Sequence, residues 1–162
     1  MPSNPYAAGL SLLARRERCA AQVAEALRRQ GFDQDAIEAA VDRLQQQGAL
    51  DDGRTARVHA RRAARVTHRG PLRTEREIAA LGIAPAVARA AVTEVYAEEG
   101  VEHVIEQALA RRLAEGAPVA DRTHFGRLYR YLVRQGFDPQ LAAATLRARA
   151  DASTPADDEQ AS

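Results

Sequence analysis

The sequence predicts an all-α chain built as three tandem three-helix repeats. Three observations predict it. A short phrase recurs three times: Leu27-Arg-Arg-Gln-Gly31-Phe32-Asp33, Ile78-Ala-Ala-Leu-Gly82-Ile83-Ala84 and Leu132-Val-Arg-Gln-Gly136-Phe137-Asp138, with its glycines 51 and 54 residues apart. In each copy an aliphatic residue stands four before the glycine, an apolar residue follows it, and Val41, Val92 or Leu146 lies ten beyond. A period of this size is the mark of a stacked array, because one such unit buries too little surface to fold alone. Finally, no segment alternates with period two through β-branched residues, so no sheet is expected.

Taken in chain order, the helices are expected near residues 6–16, 19–30 and 34–47, then 52–66, 71–81 and 85–97, then 101–115, 121–135 and 139–150. The repeats fall at 6–49, 50–97 and 98–150. Val23, Ala26 and Leu27, then Ile37, Ala40, Val41 and Leu44, carry the helical period. Between them Gly31 suits the left-handed position just past a helix end, with Arg28 and Arg29 in the last turn, where the macrodipole is negative. Asp33 can cap the next helix, with Asp35 in its first turn, and Asp138-Pro139 repeats that start with proline at the first helical position. Gly48, Gly70-Pro71, Gly100 and Gly116-Ala-Pro118 punctuate the remainder. Leu27, Phe32, Ile37, Val41 and Leu44 are expected to form one core, and Leu132, Phe137, Leu141 and Leu146 its counterpart. From Ala150 onward, Ser, Thr, Pro and acids replace the apolar period, and residues 151–162 read as an acidic disordered tail.

Composition narrows the class. The 162 residues are 46% hydrophobic and 28% charged, the balance of a globular protein. The chain contains no lysine, so all 23 basic residues are arginine. The single cysteine, Cys19, cannot form an internal disulfide and fits a reducing compartment, so a cytoplasmic location is expected. The apolar stretch Ala7–Leu13 has no preceding positive charge and is followed by Arg15-Arg16, unlike a signal peptide.

Net charge is +1, unevenly spread. Residues 54–76 hold eight arginines against Glu75 alone, whereas residues 151–162 hold four acids and no base. On a helix starting near residue 52, Arg54, Arg57, Arg61 and Arg65 form one stripe, with Ala56, Ala60, Ala63 and Val66 on the opposite side and His59 beside them. Arg62, Arg69, Arg73 and Arg76 extend the patch. Such a concentration predicts an anionic partner, either nucleic acid or an acidic protein groove.

Nothing in the sequence makes an enzyme. His59, His68, His103 and His124 are scattered and show no metal-ligand spacing. Glu99, Glu102, His103 and Glu106 lie close on one helix, where charge pairing accounts for them. There is no phosphate loop and no nucleophile elbow, so no cofactor, metal or small-molecule substrate is expected. Cys19 stands where a helix N-cap is expected, with Gln22 three residues on as in a capping box. A structural role is expected for it, although its place near a helix N-terminus and Arg18 favours the thiolate.

From about residue 10 to 148 the chain resembles the RecX regulatory proteins that modulate the RecA recombinase. Arg15-Arg-Glu-Arg18-Cys-Ala-Ala-Gln22-Val23 looks like the family's opening. Val41-Asp-Arg43-Leu44 through Gly48-Ala-Leu50-Asp51-Asp52-Gly-Arg54 is similar to its most recognisable signature. Gly70-Pro71-Leu-Arg73 through Glu77-Ile78 and Gly82-Ile83, and Arg127-Leu128-Tyr129-Arg-Tyr131-Leu132 through Gly136-Phe137, resemble its second- and third-repeat signatures. The chain departs from the pattern at Thr55, where the family has an aromatic, at Thr74, where it has an aliphatic residue, and at Leu81, where it has a basic one. These departures predict a looser second repeat or an altered partner surface.

The resemblance implies an elongated, curved array that lies in the helical groove of the RecA–DNA filament as a monomer. There it restrains strand exchange, ATP hydrolysis and the coprotease activity behind the SOS response, with single- or double-stranded DNA as a further contact. On this reading Arg57, Arg61, Arg65, Arg69 and Arg73 meet the partner, and Asp51, Asp52 and Arg54 organise the junction between repeats one and two. The alternative is a helical DNA-binding module that uses residues 54–76. Against it, the chain is nearly neutral overall, and its basic residues are not gathered at the start of a recognition helix.

Overall fold

A computed structural model describes residues 4–114 and 117–152. Among these residues there are α-helices and one π-helical segment, and no strand. The helices are α1 (Pro5–Leu13), α2 (Ala20–Arg29), α3 (Gln34–Gln46), α4 (Asp52–Arg62), α5 (Pro71–Ala80), α6 (Pro85–Glu99), α7 (Val101–Ala110), α8 (Arg122–Gln135) and α9 (Pro139–Asp151). The expected acidic tail lies outside the described residues from position 153; Asp151 closes α9.

Local chemistry sets the ends. Asn4, Asp33, Asp51, Asp121 and Asp138 each accept a backbone N–H from the first turn of the following helix, which satisfies donors that no intrahelical carbonyl can reach. At the other ends the repeated phrase forms Schellman turns. Gly31 and Gly136 take φ +89° and +96°, and Phe32 N–H and Phe137 N–H donate to the carbonyls of Leu27 and Leu132. The middle copy keeps φ +96° at Gly82 and the inner bond to Ala79.

The long expected helix at 52–66 is interrupted. From Ala63 to Thr67 the backbone winds as a π-helix, closed by His68 in the left-handed region and by Arg69 N–H donating to the Ala63 carbonyl. The wider turn breaks the register of the buried face. Ala56, Ala60 and Ala63 are buried as expected, but Ala64 joins them and Val66 is 57% exposed. Val66 therefore does not share the alanine face, a correction to the simple helical wheel.

The buried side chains fall into two clusters. Val23, Leu27, Ile37, Ala40, Leu44 and Leu50 form the first, with Phe32 and Val41 packed against it. The second runs continuously from α4 to α9 and holds Ile78, Val95, Ile105, Leu109, Leu132, Phe137 and Leu146. The residues around Phe137 thus share one core with α4, α5 and α6.

Helix ends meet at two junctions. At the first, the C-terminal end of α5 meets the N-terminal end of α2: the Cys19 thiol donates to the Leu81 carbonyl at 3.1 Å, and a Cβ on Gly82 would lie 2.5 Å from Ala21 Cβ. At the second, the C-terminal end of α8 meets the N-terminal end of α5: Gly70 N–H donates to Gln135 O at 2.8 Å and Leu72 N–H to Gly136 O at 3.0 Å. At the second junction spare acceptors of α8 thereby satisfy spare donors of α5. The helices α8, α5 and α2 meet end to end.

Candidate partner interface

The arginine stripe exists, but it is not bare. Helix α4 packs along α6, and α6 carries Glu94, Glu98 and Glu99 on the facing edge. Arg57 lies 4.0 Å from Glu94, Arg61 3.6 Å from Glu98 and Arg65 2.7 Å from Glu99. Arg69 and Arg73 share Glu77 at 2.5 and 2.8 Å. Each of the five proposed contact arginines has an acidic neighbour, so the surplus charge counted along residues 54–76 is largely cancelled in space. The sequence carried a signal for this. Glu94 and Glu98 repeat the four-residue spacing of Arg57 and Arg61 on a second helix, but only the packing shows that the two rows face one another.

The arginine side chains are 33–62% accessible, and of their partners only Glu99 is largely covered, so solvent screens these pairs and each is weak. The Arg65 hydrogen bond holds the Glu99 carboxyl below its ordinary range and raises the Arg65 guanidinium in turn. His59 is half-buried, lining a cleft with Glu77 and Leu81, and burial, with Arg62 close by, lowers its pKa.

Asp51, Asp52 and Arg54 sit where α4 begins, against the start of α2. The Asp51 side chain caps α4 through Arg54 N–H at 2.9 Å, and this bond holds its carboxyl below the usual range. Asp52 Oδ1 accepts Ala20 N–H at 2.8 Å, across the junction. The Arg54 guanidinium reaches three ways, to Glu17 at 2.6 Å and to the carbonyls of Gly48 and Ala49, both at 3.1 Å.

Other residues at the junctions were not singled out as site residues from sequence. Thr55 is fully buried, and its hydroxyl lies 3.1 Å from the Asp51 carbonyl and 3.3 Å from that of Arg18. Thr74, 1% exposed, lies 2.9 Å from both Gly70 O and the Tyr96 hydroxyl, and Tyr96 donates to Arg69 O at 2.6 Å. Burial pushes the Tyr96 phenol up to about 12. Both threonines are therefore satisfied inside the core, and neither leaves its buried hydroxyl without a partner. The thiolate expectation for Cys19 is also overturned. The residue is 0% exposed, and burial raises its pKa; the thiol donates to Leu81 O. Gln22 Oε1 accepts Cys19 N–H at 3.1 Å.

Glu99 and Glu106 are taken up by Arg65 and Arg149. Among the described residues no group of three His, Cys, Asp or Glu is placed to hold a metal ion, and no helix is long and apolar enough to cross a membrane.

Residues 6–44 match the family model described as RecX, first three-helix domain. The regulatory protein RecX of Halorhodospira halophila is 35% identical over 147 residues, which cover 89% of this chain and 88% of that protein. The chain belongs to the RecX family. The regulatory protein RecX of Syntrophotalea carbinolica is 31% identical over 142 residues, covering 83% of this chain and 89% of the relative. The crystal structure of RecX from Lactobacillus salivarius superposes with a TM-score of 0.74 at 20% identity, covering 91% of this chain and 95% of that one. At that identity the likeness establishes the all-α fold, which this chain shares with RecX proteins of known structure.

Proposed function

We propose that this RecX-family chain is a non-enzymatic, cytoplasmic regulator that lies in the groove of the RecA–DNA filament and restrains recombinase, ATPase and coprotease activity. The observation that carries this reading is the relationship over nearly the whole chain to proteins named regulatory protein RecX. The end-to-end run of α8, α5 and α2 supports it, because helices joined tip to tip build a long surface suited to a repeating partner. We read the units as residues 6–49, 50–97 and 98–150, with Asp51, Asp52 and Arg54 fixing the angle between the first two.

Arg57, Arg61, Arg65, Arg69 and Arg73 supply the proposed partner contact. Glu94 and Glu98 are exposed and hold Arg57 and Arg61 weakly, so acidic residues of a groove wall can exchange with them at little cost. The same pairs weigh against residues 54–76 as a bare DNA-binding surface.

The test is RecA ATPase on single-stranded DNA with the chain titrated in. Arg57, Arg61 and Arg65 are changed to Gln, since reversal to Glu would set acids against Glu94, Glu98 and Glu99. Inhibition by the native chain that drops at least about tenfold in potency in the triple variant, with helicity unchanged, is the expected result. Full inhibition by the variant would remove these arginines from the interface, and no inhibition by the native chain would overturn the function.

A further inference from the structure

With the α4 row paired, a second concentration of arginines, without carboxylate partners among the described residues, lies on α8. An open cleft of about 380 Å³ is bordered by Arg112, His124, Arg127, Arg130 and Arg134, with Leu128 and Tyr131 completing its wall and no carboxylate in its lining. Arg127, Arg130 and Arg134 are exposed, and among the described residues none of them forms an ion pair. Their spacing of three and four places them on one stripe of the helix, spanning about 10 Å of its axis.

The remaining groups are set as donors too. Arg112 stacks over the Tyr131 ring, 4.6 Å from its centroid, so its guanidinium is held in place. His124 Nδ1 accepts Ala120 N–H at 3.2 Å, which leaves the proton of the neutral ring on Nε2. The neighbouring acid, Asp121, is engaged in capping α8 through His124 N–H at 2.8 Å. Among the described residues the cleft therefore offers N–H donors and no competing acceptor side chain. Guanidinium groups in this arrangement match phosphate oxygens.

We propose that this α8 face binds the phosphate backbone of duplex DNA, through Arg127, Arg130 and Arg134. A duplex presents about six charges over the length of this stripe. Single strands are held largely by bases stacking on aromatic faces, and the cleft offers none: Arg112 covers Tyr131, while Phe125 and Tyr129 are partly buried against the core. The inference stands apart from the filament reading, and its test contains no recombinase, so either can fail without the other.

The experiment is fluorescence anisotropy of a labelled 20-bp DNA duplex with the full chain, titrated from 50 to 200 mM salt. Log affinity should fall linearly with log salt. In R127Q/R130Q/R134Q the slope should shrink by about 2–3, at about 0.9 per lost phosphate contact, with affinity at 50 mM reduced at least about tenfold. The single variant R130Q should lose about one unit of slope. R57Q/R61Q/R65Q should keep the native slope. Because the α8 arginines are exposed and unpaired, circular dichroism should be unchanged in each α8 variant. Undetectable duplex binding at 50 mM, equal slopes for the native and α8-substituted chains, tighter binding of a 20-nucleotide single strand, or preference for polyglutamate over the duplex would each overturn the assignment.

Discussion

Gly70 and Gly136 meet backbone to backbone, and their contact joins the start of α5 to the end of α8. A Cβ built on Gly70 would lie 2.3 Å from the carbonyl carbon of Gly136, and one on Gly136 would lie 2.3 Å from Arg73 Cβ. No side chain fits in either place. At the other junction Gly82 stands in the same relation to Ala21. Gly31, the first of the three repeated glycines, has nothing within 4 Å of its would-be Cβ.

This difference predicts a graded response to alanine. Gly31→Ala meets open space and incurs only the left-handed backbone penalty, about 1–2 kcal/mol. Gly136→Ala has that penalty plus overpacking against the backbone of Arg73, for a total of about 2–5 kcal/mol. Urea denaturation of the two variants should separate them clearly, and equal losses would show that the junction relaxes freely.

Tyr96 and Thr74 predict alkaline sensitivity. The phenol is raised by burial to about 12 in the fold, above its ordinary value of about 10. Its contribution to stability is therefore fully present below about pH 10 and is lost as pH rises through about 12. Absorbance at 295 nm should show one of the four tyrosines titrating late and together with loss of helicity, whereas Tyr96→Phe should remove the late step. Thr74→Val should cost about 1 kcal/mol through the lost hydrogen bond.

Cys19 should be inert in the folded protein. Its thiol is buried and donates to Leu81 O, and its pKa is raised, so the stability it provides is present at neutral pH and falls as pH climbs through that raised value. A thiol reagent at pH 8 should label it only as fast as the chain opens, at a rate that rises with denaturant. Prompt labelling in native buffer would contradict this burial.

Arg54→Lys tests the first junction. Lysine keeps the charge but cannot reach Glu17, Gly48 O and Ala49 O together, so a loss of about 1–2 kcal/mol is expected. Asp51→Ala should cost about 1 kcal/mol as a lost N-cap. Because the Asp51 carboxyl is held below its usual range, its contribution is present above the unfolded carboxylate pKa and fades as pH falls through the lowered one. Thermal melts between pH 3 and 7 should show the D51A penalty shrinking toward acid.

The helices were legible because their signals are local. Asp33, Asp51 and Asp138 cap, and Gly31, Gly82 and Gly136 turn, through bonds spanning a few residues, so the chain itself specifies them. Val66 escaped because a π-turn shifts register without changing composition. Thr55 and Thr74 read as defects in the linear pattern, since their hydrogen-bond partners, Arg18 and Tyr96, lie 37 and 22 residues away.

By itself the sequence determined the all-α class, the start of each described helix to within one residue and the family, whereas α1, α4 and α7 stop three to five residues before their expected ends. Only the tertiary structure decided which charges are free. Electrostatic energy depends on distance in space, and the acids nearest Arg57, Arg61 and Arg65 come from another helix, 34 to 37 positions along the chain. Counting along the chain put a bare positive stripe on α4, and packing set a row of acids beside it.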